Sequence, residues 1–185
     1  MRPIEATALK TKGVLAEHGG MRAARLADLP RLTAIYNQAV PERSATADTK
    51  IRSAEERRSW FDDYPWAEGC PLLVLEEQER VVGYAGAALF RPGKQGYEGC
   101  LEVTLYVDSS ARGRGLGRRL LAALIDAAKA LNNRVLVSLV FADNSHSNGL
   151  FAHHGFSLCG NLTDAILFPE PGATPRDVCL WMRSL

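Results

Sequence analysis

The chain has 185 residues, of which 46% are hydrophobic and 23% are charged, and its formal net charge is +1. This length and balance predict one globular domain with a buried core. So small a net charge gives no general attraction to nucleic acid or to an anionic membrane, and no apolar run approaches the ~20 residues that span a bilayer. The N-terminus lacks the apolar segment of a secretory signal, so we expect a cytoplasmic protein.

Residues 1–20 have weak periodicity and end in two glycines, which predicts a loose N-terminal extension. A single domain is expected over residues 21–185. The helices in it are marked by caps: Asp28 precedes Pro30, and Ser53 opens a Ser-Ala-Glu-Glu capping box.

The remaining elements follow from apolar alternation in strands and from 3.6-residue periodicity in helices. Glycine and proline separate them, most densely in an expected long loop before the final strand. The predicted strands are 22–25, 72–76, 81–90, 100–107, 134–140, 156–159 and 178–183, and the predicted helices are 29–40, 53–64, 116–131 and 144–154.

This element order, meandering strands followed by β-α-β units, predicts an α/β (α+β) fold. The sheet should be mixed, mainly antiparallel and of about seven strands, with helices on both faces.

The four cysteines, Cys70, Cys100, Cys159 and Cys179, are scattered along the chain. A zinc site needs ligands paired at short spacing, so no metal is expected. We expect reduced and mostly buried thiols, in keeping with a cytoplasmic location.

The strongest local signal is the loop Arg-Gly-Arg-Gly-Leu-Gly-Arg-Arg at residues 112–119, between a predicted strand and a predicted helix. Glycines let backbone N–H groups converge, and the helix start adds positive charge, so the loop can cradle a pyrophosphate. A nucleotide P-loop is excluded because Gly-Lys-Ser/Thr is missing, and a dinucleotide fingerprint because the glycines alternate. A flexible basic turn remains the alternative.

This loop, following Leu105-Tyr106-Val107, resembles the acyl-CoA-binding motif R/Q-x-x-G-x-G/A of the GNAT superfamily of N-acetyltransferases. The resemblance runs from about Met21 to Leu185 and is greatest to the phosphinothricin and methionine-sulfone acetyltransferase group. Further matching segments are Ile35-Tyr36-Asn37, Glu55 to Phe61, Val82 to Ala85, Phe90-Arg91, Glu102 to Val107, Asp143-Asn144, Ser147, Gly155-Phe156 and Asp177-Val178.

The resemblance implies a GNAT fold and transfer of an acetyl group from acetyl-CoA to the primary amine of a small amino-acid-like acceptor. Direct attack in a ternary complex and a homodimer are also implied. The residues that would bind acetyl-CoA are Leu105, Tyr106 and Val107 along the strand end, Arg112, Gly113, Arg114, Gly115, Leu116, Gly117 and Arg118 around the pyrophosphate, and Asn144 and Ser147 along the pantetheine arm.

Glu102 matches the glutamate that serves as general base in the subgroup. An ammonium must lose a proton before its nitrogen attacks a thioester, and a carboxylate can accept it directly or through water. The alternative is a structural ion pair with a nearby arginine such as Arg91.

Two parts of the subgroup pattern are altered in this chain. Phe151 stands where the subgroup has a histidine and many superfamily members a tyrosine, and phenylalanine cannot protonate the departing thiolate. His153 and His154 are nearby but are expected to point elsewhere on the helix. Tyr106 is another candidate donor, although a tyrosine in such a position is more often a core aromatic residue with a satisfied hydroxyl.

The acceptor-binding pattern is also incomplete. Arg91 matches the first arginine of an Arg-x-Arg pair that holds the substrate carboxylate, but the second position is Gly93, followed by Lys94. Pro175 replaces an expected tryptophan. The alternative for Arg91 is a solvated loop residue.

Two other functions stay open at the sequence level. One is acetylation of a protein N-terminus or lysine, which needs an open peptide groove. The other is a non-catalytic module that binds acyl-CoA, which the loss of an acid at Phe151 favours and the retention of Glu102 opposes.

Overall fold

A computed structural model describes residues 3–185 and is built around one seven-stranded sheet. Its strands are β1 (Met21–Ala23), β2 (Leu72–Glu77), β3 (Arg80–Leu89), β4 (Cys100–Val107), β5 (Val135–Phe141), β6 (Ser157–Ile166) and β7 (Arg176–Ser184). Their order is β1-β2-β3-β4-β5-β7-β6. Only β4 and β5 pair in parallel, which confirms the predicted mixed, mainly antiparallel sheet.

Helices cover both faces of the sheet, as predicted. They are α1 (Pro3–Ala16), α2 (Leu29–Glu42), α3 (Ala54–Asp62), α4 (Leu116–Ala130) and α5 (Ser145–His153). Tyr36 of α2 packs against Tyr106 of β4 at 5.1 Å between ring centroids, whereas Leu120 of α4 packs against Gly83, opposite the next β4 residue. Successive strand residues face opposite ways, so α2 and α4 lie on different faces. Within residues 3–185, the helices are too short or too polar to cross a membrane.

The caps and stripes predicted from the sequence form as expected. The Ser53 side chain accepts the backbone N–H of Glu56, whose carboxylate accepts the N–H of Ser53, which fixes the start of α3. The apolar stripe of α4 is buried against the sheet, and its members include Leu116, Leu120, Leu121, Leu124, Ile125 and Ala128.

The expectation of a loose N-terminal extension is wrong for the residues that the structure describes. The 14-residue helix α1 buries Thr7, Thr11 and Leu15 on one face. The Thr7 hydroxyl donates to the carbonyl of Trp66 at 2.9 Å, and the Thr11 hydroxyl donates to the carbonyl of Thr7 at 2.9 Å. Because two of the three buried positions are threonines, the face lacks the apolar periodicity that would have revealed it. The start of the domain at residue 21 stays a prediction.

The end of the sheet also differs from prediction. Strand β6 continues to Ile166, well past the expected end at Cys159, so the loop before β7 is shorter than expected. Most side chains of β6, which is the edge strand of the sheet, are exposed on both faces. Because β6 has no buried face, its sequence lacks the alternation of apolar and polar residues by which a strand is predicted.

Candidate active site

The central feature of the site is a gap between β4 and β5. The two strands pair only where Cys100–Glu102 meets Val135–Val137. Beyond this point β4 continues to Val107 beside β3 alone, and β5 continues to Phe141 beside β7 alone. The peptide groups of the last β4 residues that face the gap therefore lack a strand partner and are available to a ligand.

The glycine loop stands at the open end of this gap. Gly113 and Gly115 have φ of 76° and 75°, in the left-handed region that favours glycine. A Cβ on either would meet no protein atom within 4 Å, so both face open space. Gly115 caps α4, and the first N–H groups of that helix point towards the same space. This arrangement suits a phosphate group.

A cleft of about 820 Å³ joins the gap and the loop. The predicted acetyl-CoA residues line it with the exception of Arg114, whose guanidinium pairs with Glu77 at 2.9 Å. The predicted residues along it are Leu105, Tyr106, Val107, Arg112, Gly113, Gly115, Leu116, Gly117, Arg118, Asn144 and Ser147. Residues that are more than 40 positions apart in the sequence thus line the same cleft.

The loop between α2 and α3 bridges the gap and was missed in the sequence. The Asn144 amide donates to the carbonyl of Ser44 at 2.8 Å, and its oxygen accepts the N–H of Ser147 at 3.0 Å. On the other side the Tyr106 hydroxyl donates to the carbonyl of Ala45 at 3.4 Å. Asn144 therefore holds a wall of the cleft in place in addition to lining it.

Acidic partners position the loop. Arg112 pairs with Glu42 at the end of α2 at 2.8 Å and donates from Nε to the carbonyl of Val107 at 3.2 Å. Glu42 lies 70 positions from Arg112, so no local pattern could have identified it. Its carboxylate keeps the arginine at the cleft.

Asp108 supports the turn that follows β4. Its carboxylate accepts the N–H of Ser110 at 2.9 Å and the hydroxyl of Ser110 at 2.5 Å, and it also accepts from Arg31. Although burial alone would raise the pKa of Asp108, these hydrogen bonds and the Arg31 charge lower it well below its ordinary value. Asp108 is thus a buried, ionised anchor for the loop.

Glu102 lies where β4 and β5 separate, opposite Ala88 on one side and Val137 on the other. The residue is half-buried and, within residues 3–185, its carboxylate has neither a hydrogen bond nor an ion pair. Burial raises its pKa above the ordinary value, with no charged partner to oppose the effect. The alternative of an ion pair with Arg91 is not observed in the structure.

Phe151 and His153 have different surroundings. Phe151 is buried against Phe156 at 4.9 Å between ring centroids and has no proton to donate. His153 lines the outer end of the cleft, where Arg118 donates to its Nε2. The Tyr106 hydroxyl is in the cleft, and burial raises its pKa far above the ordinary value, so the phenol keeps its proton at neutral pH.

Arg91 is exposed in the loop after β3 and, among the described residues, its guanidinium has no ion-pair or hydrogen-bond partner, although its carbonyl accepts the N–H of Lys94 at 3.2 Å. Its backbone is left-handed, with φ of 57°, which is unusual for a residue other than glycine. The Arg91 guanidinium is therefore available to bind an anion, and the left-handed backbone conformation restricts where it can reach.

Comparisons with known proteins agree with this geometry. Residues 32–156 match the sequence model of the acetyltransferase (GNAT) family. The chain belongs to the GNAT family. It is 37% identical over 143 residues to the L-methionine sulfoximine/L-methionine sulfone acetyltransferase of Pseudomonas aeruginosa, across 77% of this chain and 82% of that protein. The predicted likeness to the subgroup is confirmed, and the chain is an N-acetyltransferase.

Two solved structures of GNAT proteins are similar along most of the chain. One is a phosphinothricin acetyltransferase from Sinorhizobium meliloti in complex with acetyl-CoA, with a TM-score of 0.82 and 29% identity over 89% of this chain and 87% of that one. The other is a ribosomal-protein-alanine N-acetyltransferase from Brucella melitensis, with a TM-score of 0.82 and 36% identity over 89% and 99%. The GNAT fold is therefore shared by relatives named for small and for protein acceptors.

Proposed function

We propose that this GNAT enzyme moves the acetyl group of acetyl-CoA onto the primary amine of a small amino-acid-like acceptor. The observation that carries the proposal is the position of Glu102, an unpaired and desolvated carboxylate beside the open edge of β4. The relatives named for methionine sulfone and phosphinothricin support the acceptor class.

Acetyl-CoA would lie along the cleft. Its pyrophosphate would accept N–H groups from the loop of Gly113 and Gly115, where the absence of a Cβ leaves room. The pantetheine arm would take the place of β5 along β4, and the thioester would reach the gap near Leu105. The free backbone groups there suit this polar, extended arm.

The acceptor amine would be deprotonated by Glu102 and attack the thioester carbon directly in a ternary complex. Strands rise ~3.3 Å per residue, so Glu102 is ~10 Å along β4 from Leu105. The Glu102 side chain, one water molecule and the acceptor amine together would span this distance between Glu102 and the thioester. Backbone N–H groups of β4 would stabilise the oxyanion, the C–S bond would break, and the amide would form.

The departing thiolate would leave without a dedicated acid. A free thiol has a pKa of about 8.5, so its anion is a tolerable leaving group near neutral pH. The Tyr106 hydroxyl stays protonated and would donate a hydrogen bond to the sulfur in place of its long bond, 3.4 Å, to the Ala45 carbonyl. Phe151 takes no part in proton transfer and acts in packing.

The loops around the gap favour a small acceptor over a protein. Arg43, at the end of α2, pairs with Glu170 of the loop between β6 and β7, and its guanidinium lies 4.6 Å from the Phe168 ring. Arg176 donates to the Arg43 carbonyl and pairs with Asp143. These contacts connect the loop after α2 to the loop between β6 and β7. They would narrow the opening through which a polypeptide acceptor would have to reach the gap between β4 and β5.

A panel of amines tests the acceptor class. Purified protein would be incubated with acetyl-CoA and with methionine sulfone, phosphinothricin, other L-amino acids, a polyamine or a peptide with N-terminal alanine, and thiol release would be followed. We expect turnover with carboxylate-bearing small amines. Arg91→Ala should raise their KM several-fold without changing the affinity for acetyl-CoA. Turnover of the peptide alone would instead favour the function named for the Brucella relative.

We also propose a cytoplasmic homodimer. The four cysteines are free thiols, in keeping with a reducing compartment. Three leucine and methionine side chains, Leu139, Leu162 and Met182, are exposed on one face of β5, β6 and β7. An apolar face of this kind is commonly covered by a second subunit.

A further inference from the structure

Arg57 of α3 is a buried cation that the proposed mechanism does not use. The residue is 6% exposed, and its Nε and Nη2 atoms are buried without a hydrogen-bond partner. Among residues 3–185 its guanidinium forms no ion pair with a carboxylate either. A buried charge without a counter-charge costs folding free energy, so an unpartnered group of this kind calls for a functional explanation.

Aromatic rings surround the Arg57 guanidinium. Its central carbon lies 3.8 Å from the centroid of the Trp60 ring and 4.8 Å from the centroid of the Tyr36 ring. The Tyr36 ring packs in turn against Tyr106 with 5.1 Å between centroids, and Tyr106 packs against Tyr84 at 5.4 Å. Cation–π contacts of this kind fix the position of the charge without neutralising it. The charge therefore lies on the face of the sheet that α2 covers.

Tyr106 connects this charge to the cleft, which it lines. Burial raises the pKa of Tyr106, and the Arg57 charge is among the influences that oppose the rise. Asp48 is the acidic group that acts on the same phenol, but its carboxylate is held by Arg52 through two hydrogen bonds of 2.6 Å. Because strand residues alternate between faces, Tyr106 and Glu102 lie on the same face of β4. Arg57 is thus an unneutralised cation on the reacting side of the strand.

We propose that Arg57 is a positioning residue whose charge, acting through the Tyr106 hydroxyl, stabilises the departing thiolate. The proposal rests on the proposed function. When the C–S bond breaks, its electron pair stays on sulfur, and the proton of the amine has gone to Glu102. Tyr106 donates a hydrogen bond to the sulfur and keeps its own proton, and the thiolate takes a proton from water after it leaves. A fixed cation behind the donor strengthens this bond to an anion. It would offset the missing acid at Phe151.

The ultraviolet absorbance of bound coenzyme A tests the proposal, because a thiolate absorbs where a thiol does not. Saturated complexes with coenzyme A would be titrated with base against complexes with desulfo-coenzyme A, which lacks only the sulfur. In the wild type the sulfur should ionise at a lower pH than in free coenzyme A. Arg57→Gln should reduce the ratio of thiolate to thiol at pH 7 about tenfold, as expected for a unit charge within about 10 Å in a partly buried site. Tyr106→Phe, which removes the donor, should reduce the ratio at least as much.

Arg58→Gln is the matched control for Arg57→Gln. It removes the same charge one residue further on, but Arg58 is exposed and pairs with Asp62 at 2.6 Å, so its ratio should equal that of the wild type. Arg57→Lys keeps the charge and should restore most of the ratio. An Arg57→Gln complex that ionises as the wild type does would overturn the proposal even if turnover fell, since the loss would then come from packing. Should Arg57→Gln fail to fold, unchanged ionisation in Tyr106→Phe would overturn it. Failure of coenzyme A to bind the wild type would instead refute the proposed function.

Discussion

Glu102 combines a cost to folding with a benefit to catalysis. A carboxylate that is half-buried without a partner is destabilised in its charged form, which is why its pKa is raised. The same shift makes it a stronger base than an exposed glutamate. Among residues 3–185, the Glu102 carboxylate has no ion pair or hydrogen bond that would explain this residue by stability alone.

Glu102→Gln should keep the shape of the side chain and remove the proton acceptor. We expect kcat to fall by about 10²-fold at neutral pH, with acetyl-CoA affinity unchanged. The loss should shrink at high pH, where the free amine is abundant. The wild-type rate should rise with pH and level off, with no descending limb below pH ~9, because Tyr106 keeps its proton and Phe151 has none. Wild-type turnover by the variant at every pH would assign the base role to water or the backbone.

The same substitution should stabilise the protein at neutral pH. A group with a raised folded-state pKa contributes stability below its unfolded pKa, and this is lost as pH rises through the folded value. At pH 7 the ionised Glu102 therefore lowers the free energy of unfolding, and a neutral glutamine at this position would not. We expect Glu102→Gln to raise Tm by roughly 1–3 °C at pH 7 and to make no difference below pH ~4. A lower Tm at pH 7 would show that Glu102 has a structural partner.

Asp108 has the opposite energetics. Its depressed pKa means that its stabilising contribution is fully present above the unfolded value of about 3.9 and is lost gradually as pH falls from there through the lower folded value. Asp108→Asn should cost about 2 kcal/mol at pH 7, measured by chemical denaturation, and progressively less as pH falls below about 4. Ser110→Ala, which removes one hydrogen bond and no charge, should cost less. A pH-independent effect of Asp108→Asn would contradict the ionised anchor.

At the scale of elements, α1 is a helix that a search for apolar periodicity alone does not predict. Its buried face uses threonine hydroxyls bonded to carbonyls, which satisfy polar atoms without exposing them. The segment after it is also attached, since His18 pairs with Asp126 of α4 at 3.0 Å. The helix therefore acts as a cover for α4 and β1 at a distance from the cleft.

Leu15→Ala tests whether α1 is structural. Leu15 is 3% exposed in the core, so truncation should cost about 2–4 kcal/mol of unfolding free energy. Leu9, which is 65% exposed on the same helix, offers a matched control, and Leu9→Ala should change stability by less than about 0.5 kcal/mol. Affinity for acetyl-CoA should not change in either variant. Equal stability of the two variants would show that α1 is detached in solution.

The elements that could be predicted from sequence were those with local signals. The capping box at Ser53, the stripe of α4 and the alternation of β4 each fix an element within a few residues, and the glycine loop identifies its own ligand chemistry. Glu42, Ser44 and Ala45 could not be found in this way. They reach the cleft through contacts across 60 or more positions, and such contacts depend on the packing of α2.

On the scale of the whole molecule, the sheet is covered unevenly. Helix α2 lies over β3 and β4, whereas the same face of β5, β6 and β7 exposes apolar side chains. Glu102 is part of this face, because it pairs with Val137, which pairs in turn with Met182. A second subunit on the face would therefore also border the acceptor side of the site.

The oligomeric state tests that arrangement. By light scattering coupled to size exclusion, we expect a mass twice that of the 20.2 kDa chain. Leu139→Glu places a charge in the centre of the exposed face, where Leu139 is 45% exposed, and should yield a monomer. Leu158→Glu is the matched control: Leu158 is 56% exposed on β6 but pairs with Trp181, on the opposite face. A wild-type monomer would refute the dimer, and a Leu158→Glu monomer would move the interface to the other face of the sheet.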